Sequence, residues 1–264
     1  MSKVDRTSRT MSLLWRSEVA QPAAMSPGPK PRLEISEVVT AAIAVADANP
    51  SAGLSMRAVA EQLGVTAMAL YGYVPDKGSL VALAYDAIHA EMSDSEHGDG
   101  DWRERTIAWA EDLVALFVRH PWALRVSYAR PVLGPNEQRV LESLVGVLRT
   151  TDQDSDRMRR VVGLLFYAVR GTALTIAEAR EAEAASGITE EDWWRTTSAA
   201  LDDSVPDFAD RFPNTIWLLS QQSHLPTADD GSSYVEQQSM VNFQTGLSML
   251  LDGFEAAKSA RPRR

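Results

Sequence analysis

The chain of 264 residues contains no cysteine. That excludes disulfides, zinc–thiolate sites and thiol nucleophiles, and it accords with a reducing compartment. A long hydrophobic run is also missing: the longest, Val161 to Val169, falls far short of the about 20 residues needed to span a bilayer. Lys3, Arg6 and Arg9 look like the basic start of an export signal. Only Leu13-Leu14-Trp15 follows before Arg16 interrupts, too little for the apolar part of such a signal. A cytoplasmic protein without membrane association is therefore expected. Histidine is scarce, and none of His89, His97, His120 and His224 stands in a motif with a nucleophile. There is no G-x-S-x-G, no P-loop and no Rossmann glycine pattern. His89-Ala90-Glu91 copies the opening of a zinc-deaminase signature, but the cysteines that would complete it are absent. Asp152, Asp154 and Asp156 echo an EF-hand loop, yet Arg157 replaces its glycine and Gly163 its closing glutamate, so helix capping is the expected role. Glu96, His97, Asp99 and Asp101 read as a solvated linker rather than a metal site. No enzyme, no cofactor and no metal site is expected. Period-2 alternation is lacking too, which removes strands and leaves an all-α fold.

What is present is a globular composition, 45% hydrophobic, with a net charge of −10 that is unevenly spread. Residues 1–32 hold Lys3, Arg6, Arg9, Arg16, Lys30 and Arg32 against Asp5 and Glu18, a net +4, which leaves −14 on the remainder. A basic end before an acidic body suits a protein that meets phosphate at one end only, or else a solvated tail.

Along the chain, residues 1–31 read as a flexible basic arm closing in Pro27-Gly28-Pro29-Lys30-Pro31. Residues 32–92 form a first domain. A helix is expected from Ser36 as N-cap to Asn49-Pro50, burying Val39, Ile43 and Ala46. A second runs from Ser55 to Leu63 with Gly64 as its stop. A third, short one opens at Thr66, and a fourth follows Pro75-Asp76 with Leu80, Leu83, Ala84, Ala87 and Ile88 on one face. Residues 93–264 form a larger helical domain. Helices are expected near 102–119, 136–150, 155–184 and 234–257, with shorter pieces near 122–128, 190–202 and 207–221 and a loop over 224–233.

Leu54 to Val74 carries the strongest signal. A capped helix, a tight turn at Gly64-Val65 and a second helix opened by Thr66 make a helix-turn-helix plan, in which glycine permits the left-handed turn. Ala58, Val59, Leu63, Val65 and Leu70 are the positions that would lock the pair. The same pattern would serve a purely structural helical hairpin.

The run from Ile35 through Met92 resembles the DNA-binding domain of the tetracycline-repressor (TetR) family. The matching words are VVTAAIAVADANP, LSMRAVAEQLGV and ALYGYVPDKGSLVALAYDAI. More weakly, Ala129-Arg130-Pro131 before a Leu-Glu helix, and the long helix ending near Glu178, resemble the ligand domain of the tetracycline repressors proper. The resemblance implies that the short third helix enters the major groove, with Tyr71, Tyr73 and Lys77 gripping phosphates of double-stranded DNA. Phenol and ammonium are both able to do so. Thr66 would cap the helix and touch backbone, and Arg57 would reach a guanine edge. Ala67 and Met68 would offer apolar contact to thymine methyls. Two departures weaken the match to a strong DNA binder. The short helix holds no Gln, Asn or Arg, and residues 33–92 hold only Arg57 and Lys77 as bases against seven acids. The basic arm is the expected source of further charge.

The last helix carries Phe243, Leu247, Leu250, Leu251 and Phe254 as one stripe, and the helix through Phe166 is apolar over a wide arc. The resemblance implies that these two helices pair with their copies in a homodimer reading a palindromic operator. The same residues would also serve as ordinary core. A small-molecule effector pocket is expected among helices 102–119, 136–150 and 155–184, lined by Leu113, Phe117, Arg130, Leu144, Phe166, Arg170 and Leu174. Val126 to Ala129 offers no histidine, and Leu144 stands where a polar contact is expected, so tetracycline itself is a poor fit and a more hydrophobic effector a better one. A helical scaffold that binds small molecules without sequence-specific DNA binding is the alternative.

Overall fold

A computed structural model of the chain describes residues 3–18, 33–50, 52–93, 100–221 and 232–259. Among them are twelve α-helices and one 3-10 helix, and no strand. The order is α1 (Lys3–Leu14), α2 (Ile35–Ala48), α3 (Met56–Gln62), α4 (Ala67–Tyr73), α5 (Lys77–Ser93), α6 (Trp102–Arg119), the 3-10 helix Pro121–Arg125, α7 (Pro135–Arg149), α8 (Ser155–Ser186), α9 (Glu190–Ser204), α10 (Phe208–Arg211), α11 (Pro213–Ser220) and α12 (Tyr234–Ser259).

Helices α2 to α5 make the first body. A capping box starts α2 at Glu34 rather than at Ser36, because Glu37 at the third helical position accepts the Glu34 N–H at 2.6 Å. Helix α3 opens after Ser55 and ends in a left-handed closure. Gly64 has φ +65°, and the Val65 N–H reaches back to the Ala60 carbonyl at 2.9 Å. Thr66 then caps α4, its hydroxyl accepting the Ala69 N–H at 3.2 Å. Val38, Ala42, Val59, Leu70, Val74 and Leu80 are fully buried and hold the three helices around α5.

Residues 3–18 overturn the expectation of a flexible arm: they carry helix α1 and the turn after it. Leu14 is buried, and Met11, Leu13 and Trp15 pack on the core. Those apolar side chains recur at helical spacing, a signal overshadowed in the sequence by the interleaved basic residues. The proline-rich stretch 27–31 lies outside the described residues.

The second body is built around α6 and α8. Trp109, Leu113 and Phe117 of α6 face Val161, Leu165 and Val169 of α8, and α12 packs along the other side of α8. Asp154 caps α8 through the Arg157 N–H at 2.9 Å, the capping role expected of that aspartate run. By length and composition alone α8 could cross a membrane, its most apolar window reaching a mean hydropathy of 1.4. Its buried side chains instead form the centre of the domain. The region expected as one piece over 207–221 is split at Phe212, where Pro213 starts a new helix. Helices α9, α10 and α11 bury no residue at all. Most of the loop expected over 224–233, and most of the polar connection 93–101 with Glu96, His97 and Asp99, lie outside the described residues.

Candidate DNA interface and effector cavity

The burial of Leu70 and Val74 fixes which way α4 faces. Met68 is 78% exposed and Tyr71 46% exposed, while Ala67 and Tyr73 are half-buried and pack on the core. Arg57, Thr66 and Lys77 are exposed beside them. The structure therefore leaves Arg57, Thr66, Met68, Tyr71 and Lys77 exposed to solvent, with Ala67 and Tyr73 half-buried on the core. Helix α1 adds charge that was expected from an unstructured arm. Arg9 Nη2 donates to the Gly72 carbonyl of α4 at 3.0 Å, and Arg6 stands 4.0 Å from Asp76. Asp76 is held below the usual carboxylate range, first by the Ser79 N–H it accepts.

Three contacts tie this surface to the second body. Asp47 at the end of α2 accepts the Trp122 indole N–H at 2.7 Å, and its same oxygen lies 2.8 Å from His120 Nδ1. His120 Nε2 in turn lies 3.0 Å from Glu91 of α5. Buried Asp86 of α5 takes the first N–H groups of α7, Asn136 at 2.9 Å and Glu137 at 3.0 Å, as a capping carboxylate supplied by another helix. Finally, the Trp15 indole donates to the Leu133 carbonyl at 3.0 Å, and Arg139 pairs with Glu18 at 2.5 Å. Residues 3–18 thus reach from the end of α4 to the start of α7.

Between α5, α6, α7 and α8 lies a cavity of about 470 Å³. Of the residues expected to line it, Phe117, Phe166 and Arg170 do so. Leu113 and Leu144 do not: both are fully buried core, with no surface turned to the cavity. Arg130 and Leu174 are exposed and do not line it. Its other walls include Tyr85, His89, Tyr128 and Glu137, which sequence reasoning missed. Tyr85 and His89 sit four apart on α5, a helix read only for its inward leucines. Burial pushes His89 down to about 4 and the Tyr85 phenol well above its ordinary value. His89 Nδ1 donates to the Tyr85 carbonyl at 2.7 Å, and its ring lies 4.5 Å from that of Tyr85. Burial also raises Glu137, although Leu133 N–H donates to it at 2.6 Å. Arg170 donates through Nη2 to the Leu124 and Val126 carbonyls at 2.5 and 3.2 Å.

A helix-turn-helix body joined through α5 to a helical body with a cavity is the plan shared with known proteins. The family model described as tetracyclin repressor-like, C-terminal domain, matches residues 95–258. The HTH-type transcriptional repressor DrrR1 of Streptomyces coeruleorubidus is 34% identical over 254 residues, which cover 96% of this chain and 87% of that protein. The chain belongs to the tetracycline-repressor family. Among solved structures, a possible TetR family transcriptional regulator from Streptomyces coelicolor A3(2) is 26% identical with a TM-score of 0.63, covering 84% of this chain and 98% of that one. The S. coelicolor TetR family protein ActR, in complex with actinorhodin, has a TM-score of 0.65 at 23% identity, covering 86% of this chain and 99% of that one, a likeness of fold. As a TetR-family member the chain is a ligand-responsive, DNA-binding transcriptional repressor; the family is one of regulators, not of enzymes.

In this TetR-family chain the stripe expected at a dimer interface lies largely against the protomer's own core. Phe243, Leu247, Leu251 and Phe254 are buried within the protomer, and Leu250 is half-buried against the same core. Phe166 stacks edge-on against Trp109 at 5.3 Å and lines the cavity. The large apolar side chains that α8 and α12 leave exposed are Leu164, Tyr167, Leu174, Tyr234, Val241 and Met249. A groove between the two helices is lined by Tyr167, Gly171 and Gly246 together with Phe243, Leu247 and Leu250 of the expected stripe. Both glycines have room there, since a Cβ on either would meet nothing within 4 Å.

Proposed function

We propose that the protein is a homodimeric cytoplasmic repressor that binds a palindromic operator and leaves it when a small, largely hydrophobic effector fills the cavity. The observation that carries this reading is the outward presentation of Met68 and Tyr71 beside Arg57 and Lys77, on a body tied to the cavity through Asp47, Asp86 and α1. Tyr71 and Lys77 contact phosphate, with Tyr73 at the base of α4, and Thr66 touches backbone. Arg57 reads a guanine edge, and Ala67 and Met68 meet thymine methyls. Arg6 and Arg9, docked beside α4, offset part of the acidic charge of this domain.

The second copy docks on the exposed α8–α12 face, which is apolar and carries small residues where helices approach closely. Helices α9 to α11 expose Trp193, Trp194, Trp217 and Leu218, apolar area that a second protomer would cover. Two copies place their α4 helices to read half-sites about 34–36 Å apart.

The test is fluorescence anisotropy with DNA from upstream of the gene, at two salt concentrations, for the wild type, a Tyr71→Ala/Lys77→Ala double variant and a chain lacking residues 1–18. Salt-sensitive binding lost in the double variant is expected, with a shallower salt slope on truncation. Failure to bind that DNA and to select any site from a random pool would favour the scaffold reading, to which the two bases and seven acids of residues 33–92 point.

A further inference from the structure

The cavity holds a guanidinium whose hydrogen bonds the protein does not complete. Arg170 lies on α8 with its guanidinium between the rings of Phe117 and Tyr128, 5.6 and 5.9 Å from their centroids. A guanidinium stays protonated at any physiological pH. Among the described residues Arg170 has no carboxylate within ion-pair distance, and Nη2 donates to the Leu124 and Val126 carbonyls. Its Nη1 is buried and bonds to nothing. The other charged groups of the lining are already engaged. Arg159 pairs with Asp156, and Glu137 accepts the Leu133 N–H. His89 is neutral near pH 7, since burial lowers it to about 4. A buried charged donor left unbonded is costly, and the cost is relieved by whatever brings the missing acceptor, most of all an anionic one.

We propose that Arg170 is the effector-reading residue of this cavity, and that the effector is an aromatic molecule bearing an ionised acidic oxygen, a carboxylate or an acidic phenolate. This rests on the reading that the cavity is the effector site. The oxygen takes a charge-assisted hydrogen bond from the guanidinium, and the ring system lies among Tyr85, Phe117, Tyr128 and Phe166. Because Nη1 is enclosed, the guanidinium turns to meet the ligand and loosens its hold on Leu124 and Val126. Those carbonyls belong to the 3-10 helix and the residue that ends it, and the same short helix carries Trp122 to Asp47 of the DNA-binding body. The effector oxygen therefore competes with the carbonyls that hold the two bodies in register.

Isothermal titration of the full chain with anthraquinone-2-carboxylate and with its uncharged carboxamide tests this. The carboxylate is expected to bind about ten- to a hundred-fold more tightly, the span of one hydrogen bond to a charged group. Arg170→Gln should abolish the preference and Arg170→Lys should keep part of it. Gly163→Leu, whose Cβ would meet nothing within 4 Å, fills the cavity and should block both probes. Equal or tighter binding of the carboxamide, or a preference that survives in Arg170→Gln, overturns the proposal. If both probes bind equally and Gly163→Leu blocks them, the cavity reading stands and only the charge inference fails. If neither probe binds, both fail. Should Arg170→Gln not fold, 2-(aminomethyl)anthraquinone decides: its rejection by the wild type supports the proposal, and binding as tight as the carboxylate refutes it.

Discussion

Asp47→Ala should loosen the junction between the two bodies more than any surface substitution. One Asp47 oxygen receives the Trp122 indole N–H at 2.7 Å and faces His120 Nδ1 at 2.8 Å. Trp122 is 4% exposed and His120 7%, so water cannot readily take over either bond. Leaving a buried donor unmet costs about 1–3 kcal/mol. The Asp47 side chain is 32% exposed, which lets some water into the space vacated and favours the lower part of that range. The sum is about 2–4 kcal/mol, or a fall in Tm of about 5–15 °C for a domain of this size. Asp47→Asn keeps an acceptor and should lose about 1 kcal/mol. Thermal melts followed by circular dichroism on wild type, Asp47→Ala, Trp122→Phe and the double variant give the coupling directly. A positive coupling of about 1 kcal/mol or more is expected. A loss below about 0.5 kcal/mol for Asp47→Ala, or additive single variants, would refute the claim that this bond fastens α2 to the 3-10 helix.

Gly134→Ala should cost about 2–4 kcal/mol in urea denaturation, because its Cβ would overlap the Asp86 carboxylate that two α7 N–H groups hold in place; a neutral result would mean that Asp86 can move aside. His89 makes stability depend on pH. Its folded value of about 4 lies below its ordinary 6.5, so between those values the unfolded chain takes up a proton that the folded chain refuses. Stability contributed by the neutral, buried ring is complete above about pH 6.5 and declines towards pH 4, by about 3 kcal/mol over the window. Denaturation curves across that range should be flatter for His89→Gln than for the wild type, and parallel curves would show that His89 does not carry the dependence.

The first body was legible because its devices are local. Gly64 and Thr66 act within a few residues of themselves, turning and capping the chain where the sequence placed them, and α3 opens after Ser55 as expected, though without a side-chain cap. The inward spacing of Leu70 and Val74 also determined which face α4 shows to solvent. Helix α2 began two residues earlier than expected because Glu34 and Glu37 form their own capping box. Helix α1 was missed because its charges suggested a tail, whereas Leu14 and Trp15 find their partners more than sixty residues away.

The larger domain divides the same way. Periodicity alone placed α6, α7, α8 and α12, and it marked Phe243, Leu247, Leu251 and Phe254 as one apolar stripe. What the stripe meets was decided only in three dimensions: it closes on the protomer's own α8, leaving Tyr167 and Met249 outside. The cavity lies among the helices the sequence pointed to, but its lining was only partly legible. Leu113, Leu144 and Phe117 have the same apolar character, yet two fill the core and one borders empty space. Helical spacing fixes which side chains share a face. Whether that face meets packed atoms, a second protomer or a hollow depends on how the helices cross, and that angle is set by side chains far apart in the chain.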